Sequence, residues 1–283
     1  MPCYKPIKGY RTTDGVVFAQ LARYDIVGDI KLPCGQCIGC RLDRAREWSV
    51  RCMHEAKMHQ ANSFITLTYS EENLPANMSL DYRHFQNFMK RLRKKAGPVR
   101  FFMCGEYGET NLRPHYHAII FGYQFPDLIP WGKSPSGNPL YRSPILETLW
   151  TAGNTLIGQV TRQSAGYVAR YCLKKVTGDL ADGHYQGREP EFARMSLKPG
   201  IGASFFHRYT SDILPNDYVV SDGWKIPVPK YYERLYQAPD LDQVKHAREL
   251  YARTKADNNT PDRLAAREEV AHAKIKSLLR NKT

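Results

Sequence analysis

Arg113-Pro-His-Tyr-His-Ala-Ile-Ile-Phe121 is the stretch on which the fold turns. Its β-branched and aromatic run predicts a strand over Pro114 to Gly122, and Val99 to Glu106 before it predicts another. The two are joined by a turn-rich connection, Tyr107 to Arg113, which suits an antiparallel pair. Working outward, Phe64-Ile-Thr-Leu-Thr-Tyr69 predicts a third strand. A helix is expected from an N-cap at Ser79 to Lys95, where Gly97-Pro98 stops it. An earlier helix is expected over Leu42 to Gln60, with Leu42, Ala45, Trp48 and Ala56 at helical spacing. Downstream, residues 124–140 carry Pro126, Pro130, Pro135 and Pro139 and read as a loop or insertion. A short helix near Leu146, a strand over Thr155 to Thr161 and a helix over Ser164 to Val176 follow. Residues 177–216 are ambiguous. Tyr218 to Tyr232 predicts a hairpin turning at Asp222-Gly223. Pro239 then opens a charged, Ala-rich helical tail interrupted around Asp257 to Pro261.

This order predicts an α+β fold: a central, largely antiparallel β-sheet flanked by helices. Three segments are expected: 1–60, a cysteine-containing N-terminal segment with a basic helix; 61–235, the main domain; and 236–283, the charged helical tail. Within 1–40, loops are expected around a short segment from Val16 to Tyr24.

The 283 residues include 41 Lys plus Arg against 28 Asp plus Glu, a net charge of +13. Hydrophobic content of 42% and aromatic content of 12% exclude a mainly disordered or collagen-like chain. The positive balance points to a polyanionic partner, nucleic acid or an anionic membrane. No apolar run approaches the length of a membrane span, and no signal peptide is visible. An intracellular, soluble protein is expected, with its seven cysteines as thiols or metal ligands. No GxxxxGK-[Ser/Thr] phosphate loop is present in the sequence, which argues against an in-chain ATP-driven helicase.

His115 and His117 stand at i and i+2, so a strand projects both imidazoles from one face and Tyr116 from the other. Two imidazoles on one face make half of a divalent-metal site. The third ligand should come from the neighbouring strand, where Glu106 is better placed than Glu109 in the connection. Tyr167 and Tyr171, at i and i+4 in Ser164-Ala-Gly-Tyr-Val-Ala-Arg-Tyr-Cys-Leu-Lys-Lys175, share a helix face, with Lys174 near the same side. A phenol is a weak nucleophile at neutral pH and needs a cation to stabilise phenolate. Each motif therefore supplies what the other lacks.

Together they resemble the HUH-superfamily rolling-circle replication initiators, most closely those of small single-stranded DNA bacteriophages of the Microviridae, the gokushovirus branch in particular. Phe64 to Tyr69 is similar to the first motif of that family, His115-Tyr116-His117 to its metal motif, and Tyr167-Val-Ala-Arg-Tyr171-Cys-Leu-Lys174 to its two-tyrosine motif. The likeness covers roughly residues 60–230 and extends to Cys34-Gly-Gln-Cys-Ile-Gly-Cys40 and to Met195 through Gly202. It departs at Tyr116, where the family carries an aliphatic residue. The resemblance implies the HUH endonuclease (RRM-like) fold and a site-specific endonuclease and strand-transferase. Tyr167 and Tyr171 would alternate as nucleophiles through a 5′-phosphotyrosine, with Mg²⁺ or Mn²⁺ as the metal. Origin and single-stranded DNA, a host polymerase and a replication helicase are the implied partners, in the host bacterial cytoplasm.

Cys34, Cys37 and Cys40, with Cys3 as a fourth thiolate, are the ligands of a structural Zn²⁺ in the favoured reading; an iron–sulfur cluster or buried thiols are the alternatives. Arg41, Arg44, Arg46 and Arg51 on the first helix, and Lys90, Arg91, Arg93, Lys94 and Lys95 on the second, are candidate phosphate contacts. Two other functions compete. One is a non-catalytic single-strand binding or packaging protein, which has no need of the histidine and tyrosine motifs together. The other is a phosphodiesterase in which water attacks and the tyrosines are structural.

Overall fold

The computed structural model describes residues 3–108, 111–171, 176, 178–214, 216–236 and 240–280, without the side chains of Tyr171 and of residues 277–280. The chain divides into two compact units, Met1–Arg44 with Lys245–Thr283, and Ala45–Val244.

The first unit opens with β1 (Ile7–Thr12), β2 (Gly15–Val17) and β3 (Ile26–Leu32), an antiparallel sheet in the order β2-β1-β3. Sequence reading expected mostly loops here. Strand β3 does alternate, with Ile26, Ile30 and Leu32 half-buried and Val27, Asp29 and Lys31 exposed, but β1 and the three-residue β2 do not, so the period-two signal is confined to one strand. Helix α1 (Ile38–Lys57) starts four residues before its expected onset.

The second unit is built on β4 (Asn62–Tyr69), α2 (Tyr82–Ala96), β5 (Arg100–Tyr107), β6 (Pro114–Phe121), β7 (Ile129–Lys133), β8 (Pro139–Arg142), α3 (Pro144–Leu149), β9 (Gly153–Gly158) and α4 (Arg162–Tyr171). Then come α5 (Leu180–Tyr185), β10 (Phe192–Met195), α6 (Ala203–Arg208), α7 (Thr210–Ile213), the hairpin β11 (Tyr218–Ser221) and β12 (Trp224–Pro227), and α8 (Lys230–Leu235). Seven strands form one antiparallel sheet ordered β10-β5-β6-β4-β9-β8-β7. The architecture is thus mixed α and β, an open antiparallel sheet between helices.

Both faces of β5 and β6 are covered. On one face, Ala45, Cys52 and Ala56 of α1 and Ala165, Val168 and Ala169 of α4 pack with Phe102, Cys104, Ile119 and Phe121. On the other, Phe85, Phe88, Met89 and Leu92 of α2 and Leu146 and Leu149 of α3 pack with Ile65, Leu67, Met103, Ala118 and Ile120. The α2 side chains recur at i, i+3, i+4 and i+7 and are at most 2% exposed, each contributing about 1.5–3 kcal/mol of burial. A third cluster joins Val50 to α6, α7, α8 and the β11–β12 hairpin. That hairpin turns at Asp222-Gly223, with φ of 50° and 80°, as its sequence predicts.

Two local expectations are corrected. Asp81, not Ser79, caps α2: its side chain accepts from the Arg83 N–H at 2.9 Å, while the Ser79 hydroxyl accepts from the Glu189 N–H. Residues 129–142 form a hairpin rather than a loop. It lies at the edge of the sheet, where Pro130 costs no inner ladder bond, and the register shifts between Pro130 and Gly132. The chain ends in α9 (Leu241–Arg253), a 3-10 turn over Ala256–Asn259 and α10 (Pro261–Arg280), which belong with β1–β3 in the first unit apart from the first turn of α9. Among the described residues, no helix is long and apolar enough to cross a membrane.

Candidate active site

Register sets the site. Glu106 of β5 stands opposite His115 of β6, Cys104 opposite His117, and Thr66 of β4 opposite His117 on the other side. Residues directly opposite share a face, so the carboxylate, both imidazoles and the Thr66 hydroxyl converge on the α1/α4 side of the sheet. The Nε2 atoms of His115 and His117 each lie 2.8 Å from Glu106 Oε1. Glu106 is 1% exposed and His117 7%.

The outer nitrogens are held too. His115 Nδ1 is 3.0 Å from the Arg113 carbonyl, which only accepts, so Nδ1 carries the hydrogen and Nε2 faces Glu106. His117 Nδ1 is 2.9 Å from the Thr66 hydroxyl, and the Phe64 ring stacks on the imidazole at 5.8 Å. Burial pushes the Glu106 carboxyl up, but hydrogen bonds from the two histidines and their charge outweigh it, holding the group below the usual carboxylate range.

These residues fit a divalent cation. One carboxylate oxygen and two imidazole nitrogens lie within 4.8 Å of one another, each ring is oriented through its far nitrogen, and the buried Glu106 Oε2 accepts no hydrogen bond from the described residues. A cation there would be met by the Glu106 carboxylate and by both Nε2 atoms once their protons have left.

Helix α4 delivers the tyrosine. Thr161 and Ser164 cap it reciprocally, Thr161 N–H to Ser164 Oγ at 2.8 Å and Ser164 N–H to Thr161 Oγ1 at 3.1 Å. Ser164 is therefore the third residue of the helix rather than its start. With Ala165, Val168 and Ala169 buried against the sheet, the Tyr167 hydroxyl donates to Glu106 Oε1 at 3.2 Å. The Tyr167 ring meets His117 edge-on, centroids 4.9 Å apart. Tyr171 ends α4 one turn later; its side chain, and all of Lys174, lie outside the described residues.

Thr66 and Arg113 were not singled out from sequence. Thr66 sits at an alternating position of the first strand, a signal that becomes usable only once the β4–β6 register is known. Arg113 contributes its carbonyl to His115, and its guanidinium braces the end of β4 through the Tyr69 carbonyl at 3.0 and 3.2 Å.

The basic residues scatter. Arg51 is 8% exposed; its guanidinium lies between the Trp48 and Tyr231 rings, at 4.0 and 3.9 Å, and its Nε donates to the Ile201 carbonyl. It is committed to packing, contrary to its expected place among phosphate contacts. Lys90, Arg93, Lys94 and Lys95 are exposed on α2, which covers the face opposite Glu106, and Arg91 donates to the Leu149 carbonyl at 2.7 Å. Arg46 donates to the Pro227 carbonyl. In the other unit, Arg44 is exposed and donates to the Gly35 carbonyl, Arg41 lies half-buried on the first turn of α1, and Cys3, Cys34, Cys37 and Cys40 form a second potential metal-binding group.

The family of replication-associated proteins ORF2/G2P matches residues 62–176, the span from β4 through both tyrosines. The chain is 35% identical over 249 residues to replication-associated protein VP4 of Bdellovibrio phage phiMH2K, covering 84% of this chain and 78% of that one. It is 34% identical over 284 residues to replication-associated protein ORF2 of Spiroplasma virus 4, covering 89% and 87%. It is 32% identical over 214 residues to replication-associated protein ORF4 of Chlamydia phage 1, covering 72% and 53%. No solved structure matches the chain significantly.

Proposed function

The chain belongs to the replication-associated protein family of Microviridae-type phages, and from that premise we propose that it is the single-stranded DNA endonuclease and strand-transferase that begins and ends rolling-circle replication. One observation carries the reading: the Tyr167 hydroxyl lies 3.2 Å from a carboxylate oxygen that is itself 2.8 Å from two imidazole nitrogens. A water-attacking phosphodiesterase has no use for a phenol at that place.

In the proposed step the Tyr167 oxygen attacks a backbone phosphorus and the P–O3′ bond breaks. The phenol loses its proton, the departing 3′ oxygen gains one, and the products are a 5′-phosphotyrosine and a free 3′-OH. Attack by a 3′-OH on the phosphotyrosine reverses the exchange, so joining needs no ATP. Glu106 orients the Tyr167 hydroxyl by accepting its hydrogen bond. Tyr171, one turn further along α4, would receive a second strand end. Glu106, His115 and His117 would hold Mg²⁺ or Mn²⁺, whose charge offsets that developing on the phosphate and favours phenolate. The free 3′-OH would serve a host polymerase, with a host helicase opening the duplex, in the bacterial cytoplasm.

The test incubates protein and Mn²⁺ with labelled single-stranded phage origin DNA and resolves the products under denaturing conditions. A protein–DNA adduct is expected in wild type and is lost in the Tyr167→Phe/Tyr171→Phe double variant. No adduct in wild type, or as much in the double variant, overturns the covalent mechanism.

A further inference from the structure

Residues 3–40 bury almost no apolar side chain. Cys3, Gly9, Cys37 and Gly39 are the buried positions among them, while Ile7, Val16, Phe18, Leu21 and Val27 are 41–64% exposed. Among the described residues, the ion pairs of this unit include Lys8 with Asp29 at 3.0 Å, Arg11 with Glu249 at 2.8 Å and Lys5 with Glu268 at 3.3 Å; the first two are solvent-facing on both sides and the third on the lysine side, the kind worth about 0–1 kcal/mol. A three-stranded sheet so poor in core needs another source of stability, and a bound metal is one of the few available to so small an element.

The four cysteines supply it. Cys3 Sγ lies 3.8 Å from Cys34 Sγ and 4.0 Å from Cys37 Sγ, and all four sulfurs are within 4.8 Å of one another. These separations are far beyond a disulfide bond. A tetrahedral ion with metal–sulfur bonds of about 2.3 Å places its sulfurs about 3.8 Å apart. A four-iron cluster needs room between its thiolates for a cube of iron and sulfide, which sulfurs this close do not leave. Backbone N–H groups also point at the sulfurs: Cys34 at Cys3 (3.3 Å), Gln36 and Cys37 at Cys34 (3.4 and 3.2 Å), and Tyr4 at Cys37 (3.3 Å). Such donors stabilise thiolate over thiol. Gly35, at φ +74°, makes the turn that aims both the Gln36 and Cys37 amides at one sulfur.

We propose that Cys3, Cys34, Cys37 and Cys40 bind one Zn²⁺ as four thiolates, and that this ion, rather than apolar burial, holds the β1–β3 sheet together with the first turn of α1. The ligands sit where a clamp must act. Ile7 pairs with Leu32 at the open end of the sheet, Cys3 and Cys34 lie just beyond that pair, and Cys37 and Cys40 flank Ile38 at the start of α1. Soft thiolates select zinc over the hard cations suited to oxygen-rich sites, and binding displaces the thiol protons to solvent.

Metal analysis of the purified full-length chain tests the assignment. One zinc per chain is expected in wild type and in His115→Ala/His117→Ala, and none in Cys37→Ser. A misfolded Cys37→Ser would blur that result, so wild type stripped with a chelator is titrated with Co²⁺ as well. One equivalent is expected to give thiolate-to-cobalt charge-transfer absorption. Limited proteolysis should then cut the stripped chain within residues 7–32 while 45–244 survives, and added Zn²⁺ should restore protection. Iron in place of zinc, zinc that is lost with the histidines, four rapidly reacting thiols in the metal-replete protein, or cleavage indifferent to metal would each overturn the proposal.

Discussion

Replacing Thr66 with valine isolates the support behind one metal-binding histidine. Valine keeps the branched shape that a strand favours and removes only the hydroxyl, 2.9 Å from His117 Nδ1. When His117 Nε2 ligates a cation, the ring hydrogen sits on Nδ1, which then donates to Thr66 Oγ1. The substitution removes that acceptor beside a ring only 7% exposed, where an unmet hydrogen bond costs about 1–3 kcal/mol. The ring keeps two other restraints, the Phe64 stack at an interplanar angle of 5° and the Tyr167 edge at 89°. The loss should therefore be partial: metal affinity down about 10–100-fold, equivalent to about 1.4–2.7 kcal/mol. Mn²⁺ titrations of wild type and Thr66→Val, followed by electron paramagnetic resonance at a mildly alkaline pH, measure it directly, with thermal unfolding as the control for fold. An affinity within twofold of wild type in a folded variant would refute the supporting role of Thr66. A loss as complete as that of His117→Ala would mean instead that the hydroxyl is itself a ligand.

Three other residues give independent checks. At Gly153, φ is +150° and an added Cβ would lie 2.2 Å from Ser70 N and 2.4 Å from the Thr68 carbonyl oxygen, so Gly153→Ala should cost at least about 3 kcal/mol in urea unfolding; a cost under about 1 kcal/mol would contradict the close approach of β4 and β9. Burial holds His54 at about 3, well below its ordinary value, so the folded chain keeps it neutral where the unfolded chain takes up a proton. Its stabilising contribution is thus complete above about pH 6.5 and lost as pH falls toward 3; relative to His54→Gln, wild type should lose about 1.2 kcal/mol between about pH 6 and pH 5, and a flat difference would sink the assignment. Arg51→Lys should lower stability by about 1–3 kcal/mol by loosening both ring contacts and the Ile201 bond, without changing the salt dependence of single-strand binding. A shallower salt slope with unchanged stability would return Arg51 to the DNA-contacting set.

What the sequence conveys follows from which physical signals are local. The parity of a strand places His115 and His117 together on one face without knowledge of any neighbour. Choosing Glu106 needs only that β5 and β6 be joined by a short connection, which Tyr107 to Arg113 makes plain. Thr66 was beyond reach because β4 and β6 are more than forty residues apart in sequence and their register is a tertiary fact. The N-terminal sheet was illegible for a different reason. Strands β1 and β2 bury little and carry no hydrophobic alternation, the signal by which strands are found; β3 does alternate, Ile26, Ile30 and Leu32 against Asp29 and Lys31, but alone it gives no partner to pair with. The edge hairpin was masked by prolines that would exclude a central strand but are harmless at the rim. Arg51 shows the limit of charge as a guide, since a guanidinium reads alike in sequence whether it faces solvent or lies between two rings.

The same limit governs the net charge of +13, whose role depends on where it sits. The densest cationic run, Lys90 to Lys95, ends α2, and only a few residues separate it from the start of β5 at Arg100. Glu106 lies near the other end of that strand, six residues on, and at about 3.3 Å per residue this is about 20 Å away. The run is also on the opposite face of the sheet from the histidines, because α2 packs on the side of Met103 and Ile120 while Glu106, His115 and His117 alternate to the side of Cys104 and Ile119. That separation is about two and a half times the Debye length of about 8 Å at physiological salt. These lysines and arginines therefore do not act on a phosphate held at Glu106, and any contribution they make to DNA binding concerns a stretch of strand that has already left the site. Among the described residues, the Glu106–His115–His117 group and any cation it holds lie nearest the proposed reacting phosphate, so a single carboxylate, of the minority sign, sits at the centre of a strongly basic protein's proposed chemistry.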